Sequence, residues 1–254
     1  MKKLQAHYLP QFVSEADLAG DTVVVIDLLR ASTTICHALA NGAREVTAFL
    51  EVGEVVRAAE DEADRSELLL GGERGGEIIP GFDLGNSPAE YTPDEVFGRR
   101  VFFTTTNGTM ALGHARLAKR VQVGAIVNLS AVAETLQGEE SVHLLCAGTN
   151  GHVSRDDRLA AGAIAHAITS NSSPPDTMND SAQAVLGEWQ ELLNTARALG
   201  RSPSEQLAFE LRDTPGGKNL IRIGMQDDLP RCSEIDKLTV VPEFDPSSRR
   251  ITAL

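Results

Sequence analysis

The chain is short of cysteine, of positive charge and of long apolar runs, and each shortage closes a route. Cys36, Cys146 and Cys232 are its three cysteines, far apart and without a Cys-x-x-Cys spacing, which argues against a zinc site or a redox pair. Cys36 and Cys146 lie in apolar surroundings and read as small buried thiols. No apolar stretch approaches the ~20 residues of a membrane helix. The opening MKKLQAHYLPQF has lysines but no apolar signal core, so a cytoplasmic protein without membrane contact is expected. Only 23 Lys and Arg stand against 36 Asp and Glu, a net charge of −13 that argues against nucleic acid. Several catalytic signatures are missing as well. There is no Gly-x-x-x-x-Gly-Lys-Ser/Thr, no Asp-x-Asp start (Leu29 stands two after Asp27) and no Gly-x-Ser-x-Gly elbow. The histidines show no ligand pairing, so zinc is not expected.

What is present is an alternation of strand and helix. TVVVIDLL (Thr22 to Leu29) is a continuous β-branched run, as a buried parallel strand should be. A helix follows over ICHALANGA, with Ser32 or Thr33 as its cap and Asn41-Gly42 as its end. EVTAFL, ELLL, RVFFTTT, RVQVGAI and SVHLLCAG read as further strands. VGEVVRAAEDEA, TMALGHARLAK, LSAVAETLQ and DRLAAGAIAHAI read as the helices between and after them. Beyond a polar, proline-rich loop (Asn171 to Asp180) come two more helices, AQAVLGEWQELLNTARALG and SPSEQLAFELRD. DTPGGKNL then reads as a turn and KLTVVPEF as a last strand. The expectation is an α/β fold, a three-layer α/β/α of repeated strand-turn-helix units on a mostly parallel or mixed sheet. The 254 residues form a single domain, with a subdivision near 130 left open, and Thr-Asn-Gly at 106–108 and 149–151 hints at two similarly built halves.

The chemistry concentrates at strand ends, where open α/β sheets bind ligands. Asp27 ends a buried strand, at a cost in desolvation, and Arg30, Ser32 and Thr33 follow it as an anion site would require. Gly72-Glu73-Arg74-Gly75-Gly76-Glu77 sets carboxylates around an arginine in a flexible backbone, and Asp83 and Asn86 follow. Thr106, Asn107, Gly108 and Thr109 offer hydroxyls and amides, as do Asn150 and Gly151. Asp157 reads equally well as a partner of a helix dipole or as a metal ligand. Oxygen ligands suit a hard cation and the arginines suit an anion, so phosphoryl chemistry is the first reading. Asp27, Glu73 and Asp83 are the candidate catalytic groups. The metal candidates are the same three with Asp157. Arg30, Ser32, Thr33, Arg74, Gly75, Thr106, Asn107, Gly108, Thr109, Asn150 and Gly151 are the candidate substrate contacts.

With these segments in view, the chain resembles the 2-phosphosulfolactate phosphatase family. The stretches that carry the resemblance are VVVIDLLRASTTICHALANGA, GGERGGEIIPGFDLGNSPAEY, TTTNGTMAL and CAGTNGHVSRDDRLAAGAI. Weaker similarity continues through GMQDDLPRCSEIDKLTVVP. The family tends to carry a basic residue after Thr-Asn-Gly-Thr, where this chain has Met110. The resemblance implies a Mg²⁺-dependent phosphatase that takes (2R)-2-phospho-3-sulfolactate to 3-sulfolactate and phosphate, a step on the route to coenzyme M in methanogens. Such a compact polyanion needs cationic and N–H contacts from several directions, which Arg30, Arg74, Arg155 and the glycine-flanked turns can supply. Two alternatives stay open: a phosphatase of another small phospho-hydroxy acid, and a non-catalytic binding protein for a small phosphorylated or sulfonated acid. A homodimer is the base-rate expectation.

Overall fold

The computed structural model describes residues 1–171 and 174–254; residues 172 and 173, in the expected proline-rich loop, lie outside the described residues. Its strands are β1 (Lys3–His7), β2 (Thr22–Ile26), β3 (Glu45–Ala48), β4 (Leu68–Arg74), β5 (Glu77–Ile78), β6 (Arg100–Thr104), β7 (Arg120–Val123), β8 (Ser141–Cys146), β9 (Thr177–Met178), β10 (Pro242–Asp245) and β11 (Arg250–Ala253). Its helices are α1 (Glu15–Leu18), α2 (Ala31–Ala40), α3 (Val52–Glu60), α4 (Pro93–Val96), α5 (Gly108–His114), α6 (Leu129–Thr135), α7 (Arg155–Asn171), α8 (Asp180–Leu199), α9 (Pro203–Leu211), α10 (Pro215–Arg222) and α11 (Asp228–Cys232). The strands form one mixed 11-stranded sheet in the order β5-β4-β6-β3-β11-β10-β7-β2-β8-β1-β9.

Alternation along buried strands explains the three layers. In β2, Val23 and Val25 join Ile35 and Ala38 of α2 and Leu112 of α5 on one face. Val24 and Ile26 join Val132 of α6 and Leu159 and Ile164 of α7 on the other. In β6, Val101 and Phe103 face the α2–α5 layer, while Phe102 packs with Val55 and Ala59 of α3. Val56 of α3 reaches solvent.

Two parallel groups, β4-β6-β3 and β7-β2-β8-β1-β9, are joined by the antiparallel hairpin β10–β11, which pairs with β7 on one side and β3 on the other. By ladder the two groups run in opposite senses. Between β2 and β4, however, lie six strand-to-strand steps, and at ~20–25° each the twist turns the sheet through roughly 120–150°. The twist therefore undoes most of the reversal, and the carboxyl ends of β2 and β8 meet those of β4 and β6.

Several segments differ from their sequence reading, β9 within the expected proline-rich loop among them. The glycine-rich segment is not a loop: β4 runs through it to Arg74 and turns at Gly75-Gly76 (φ 65° and 93°) into β5. Left-handed residues at both turn positions match the twist of a two-residue hairpin, and glycine adopts them without steric cost. DTPGGKNL is not a turn but the start of α10. The Thr214 hydroxyl accepts the Gly217 N–H at 3.0 Å, and Pro215 opens the helix with its fixed φ. β1 and β11 were not read as strands, being short and half polar. Both pair within the sheet.

Candidate active site

Asp27 stands one residue past β2, where the chain leaves the buried strand for α2. Its backbone N–H donates to the Ser32 hydroxyl at 2.9 Å, which closes the turn. Its carboxylate accepts backbone N–H groups from Ala31 at the start of α2 and Gly108 at the start of α5. Gly108 is glycine for a reason of space, since a Cβ there would lie 2.8 Å from the Ala31 Cβ and 2.9 Å from Asp27 Oδ2. Burial, then the neighbouring Glu73 and Asp156, push the Asp27 carboxyl up to about 7.

Glu73 arrives from β4 and is also buried. Its Oε2 accepts the Gly76 N–H at 2.7 Å, bracing the hairpin, and its Oε1 accepts the Thr106 N–H at 2.8 Å, tying β4 to the end of β6. Asp27 and Glu73 line one cavity of about 350 Å³ with Arg30, Gly75, Gly76, Asn86, Thr106, Asn107, Thr149 and Asn150. The carboxyl ends of β2, β4, β6 and β8 thus all contribute. Asn107 Oδ1 accepts the Asn150 N–H at 2.9 Å, so the two Thr-Asn-Gly turns are joined. Asn150 itself holds a left-handed φ of 51°.

Arg30 is buried against Asp228 of α11, Nη1 to Oδ2 at 2.8 Å, and its Nη2 donates to the Gly76 carbonyl at 2.6 Å. The Ser87 hydroxyl occupies the other Asp228 oxygen at 2.7 Å. The guanidinium is therefore held between α11 and the hairpin, with N–H groups left for the cavity.

Other expected contacts lie elsewhere. Arg74 follows Glu73 on a strand, so it points to the opposite face; there it meets the Leu50 carbonyl at 3.1 Å and the Thr104 hydroxyl at 3.0 Å. Asp83 accepts the Leu70 N–H at 2.8 Å and pins the loop to β4, outside the cavity lining. Asp157 is buried with its oxygens on the Leu28 and Gly148 N–H groups, both at 2.8 Å. Burial and the charges of Asp156 and Asp27 hold its carboxyl well above the ordinary range. The Ser32 and Thr33 hydroxyls serve the 27–32 turn, Thr33 donating to the Leu28 carbonyl at 3.0 Å. Arg155 pairs with Glu210. Thr109, Gly151 and Met110 face a second, larger hollow of about 550 Å³, lined by Leu9, Leu50 and Phe244 among others. Its walls are largely apolar, and the two arginines that line it, Arg116 and Arg249, are paired with Glu15 and Glu54.

The sequence reading missed α10, whose Pro215, Gly216, Asn219, Leu220 and Arg222 complete the smaller cavity. Thr214-Pro215 was its signal, but the glycine pair after it reads as a turn. Asp228 was missed too, although it lies within GMQDDLPRC.

Besides the two carboxylates, Asn86 Oδ1 and Thr106 Oγ1 are buried, belong to residues lining the cavity and have no partner among the described residues. Among the described residues no three His, Cys, Asp or Glu side chains form a closed metal cluster. One or two carboxylates with neutral oxygens fit an ion that keeps waters and takes phosphate oxygens as further ligands.

Comparison with known proteins agrees with this chemistry. The profile of the family described as 2-phosphosulpholactate phosphatase matches residues 8–246. The chain belongs to the 2-phosphosulfolactate phosphatase family. A relative from Symbiobacterium thermophilum, named "Probable 2-phosphosulfolactate phosphatase", is 44% identical over 229 residues, 90% of this chain and 93% of its own. Relatives of the same name from Parasynechococcus marenigrum and Caldanaerobacter subterraneus are 41% and 36% identical, over 89% and 95% of this chain and 90% and 95% of their own. The matched residues thus include both parallel strand groups apart from β1, and α10. Among the described residues no helix is long and apolar enough to cross a membrane.

Proposed function

We propose that this member of the family is a Mg²⁺-dependent phosphomonoesterase that hydrolyses (2R)-2-phospho-3-sulfolactate to 3-sulfolactate and inorganic phosphate, working as a single domain. The observation that carries the reading is one cavity holding two buried carboxylates, a buried arginine and two unpartnered oxygens, in a chain of this family. Asp27, Glu73, Asn86 and Thr106 would hold the ion, which when bound would offset charge on the phosphoryl group being transferred. Arg30 meets the phosphate with the N–H groups it does not spend on Asp228 and Gly76. The Asn107–Asn150 bridge holds the turns of β6 and β8 at a fixed separation around the substrate. Asp27 is poised by its neighbours to lose its proton as a cation arrives. Water supplies the oxygen that bonds to phosphorus, the ester P–O bond breaks, and the sulfolactate oxygen leaves with a proton.

The test is phosphate release from phosphosulfolactate with Mg²⁺ and with EDTA, beside a panel of phospho-hydroxy acids such as 2-phospholactate and phosphoglycerates. Release that needs the ion and is fastest on phosphosulfolactate is expected. A panel member turned over with tenfold higher kcat/KM would move the assignment to that acid, and no release from any member would favour a binding protein.

A further inference from the structure

We infer that Arg222 of α10 is the specificity residue that receives the sulfonate of the substrate; the inference rests on the function proposed above. Among the described residues lining the 350 Å³ cavity, the cationic ones are Arg30 and Arg222. Arg30 is buried and committed in part to Asp228 and the hairpin carbonyl. Arg222 is exposed at the end of α10 and makes one hydrogen bond to a neighbour on its own helix, Nη2 to Asn219 Oδ1 at 2.7 Å.

That helix is fastened to the reacting centre. Asn219 Nδ2 donates to the Gly75 carbonyl at 3.0 Å, at the tip of the hairpin whose Gly76 N–H is bound by Glu73. A Cβ on Gly76 would lie 2.7 Å from Asn219 Nδ2 and 2.9 Å from Ile223 Cδ1, so helix and hairpin touch without room for a side chain. The chain Glu73–hairpin–Asn219–Arg222 thus links the guanidinium to the carboxylates through hydrogen bonds.

Substrate chemistry selects the group it meets. Phosphosulfolactate carries a phosphate between a carboxylate and a sulfonate. A carboxylate is a good ligand for a divalent cation and can share one with the phosphate. A sulfonate is a very weak base and a poor metal ligand, so N–H donors must receive it, and a guanidinium fork provides them.

The experiment uses the full chain and Arg222→Met, an exposed position where the change leaves the fold intact. Titration calorimetry in Mg²⁺ measures binding of 3-sulfolactate and, separately, of inorganic phosphate, alongside steady-state kinetics on phosphosulfolactate. Expected is a tenfold or greater weakening for 3-sulfolactate, unchanged phosphate binding, and a matching rise in KM with kcat within about threefold, the pattern of lost uniform binding. Equal losses for both ligands, or no loss for either, would overturn the inference. Failure of the wild-type protein to release phosphate from phosphosulfolactate would instead overturn the function it rests on.

Discussion

Asp27 is the residue at which stability and chemistry pull apart. A carboxyl raised to about 7 by burial and like charge is protonated below that pH in the fold but ionised above about 4 when unfolded. The unfolded state therefore binds fewer protons, and stability falls as pH rises from about 4 to 7. Asp27→Asn removes this term. We expect it to raise stability at pH 8 in EDTA, by up to ~4 kcal/mol in urea titrations, and to cut phosphate release by at least about a thousandfold. A cation competes with the Asp27 proton, so stabilisation by Mg²⁺ should be larger at pH 8 than at pH 6. Thermal melts of wild type should show that difference and melts of Asp27→Asn should lose it. Arg30 and Asp228 illustrate the opposite case. Asp228→Asn leaves a buried guanidinium without its counter-charge, which costs ~3–5 kcal/mol. The double variant with Arg30→Met should recover much of that loss in urea denaturation, while remaining inactive.

At the scale of elements, the hairpin β4–β5 and helix α10 make the cavity, and glycine sets how closely they and their supports approach. Gly217 in α10 packs directly on α9, and a Cβ there would overlap the Leu211 carbonyl. Alanine normally favours a helix by ~1 kcal/mol over glycine, yet here the overlap is with backbone and the α9–α10 corner has to open. Gly217→Ala should therefore lose ~1–3 kcal/mol of stability, as overpacking does, and lower kcat/KM as Asn219 and Arg222 shift. Circular dichroism melts and steady-state kinetics check both. At this scale the sequence was legible wherever apolar periodicity was strong: Thr22–Ile26 and Asp180–Leu199 are close to their expected elements, whereas α2 begins at Ala31 behind Arg30, so Ser32 and Thr33 lie inside the helix instead of capping it. It was illegible where one residue type serves two structures. Paired glycines open a hairpin at Gly75-Gly76 and sit inside a helix at Gly216-Gly217, and the Thr214-Pro215 start ahead of the second pair is what separates the two uses.

Across the whole molecule, the first strand is locked to the centre of the sheet by a chain of side chains from β1, β8 and the approach to β2. His7 Nε2 lies 2.9 Å from His143 Nδ1, and His143 Nε2 lies 3.0 Å from Asp21 Oδ2. The His143–Asp21 bond has His143 donating, so a neutral His7 donates to His143. Burial first, then the adjacent His143, push the His7 imidazole down to about 4. Unfolded His7 takes up a proton below about 6.5 and the folded one resists until about 4, so stability is lost as pH falls across that window. Urea midpoints between pH 7 and 4 should show the decline, and His7→Gln, which retains a donor, should flatten it.

What the sequence determined by itself is the set of local rules: which runs are buried strands, that Asp27, Glu73, Asn107 and Asn150 stand at strand ends, and which family carries those motifs. Those properties follow from nearest neighbours and from the pattern of apolar side chains. What only the tertiary structure decided is which polar residues share a cavity. Strand alternation sent Arg74 away from Glu73, backbone N–H groups claimed Asp83 and Asp157, and Asn86, Asp228 and Arg222 came in from distant segments. The physical reason is the accumulated twist of the sheet, which joins the carboxyl ends of two oppositely laddered strand groups over a distance that no local sequence pattern encodes.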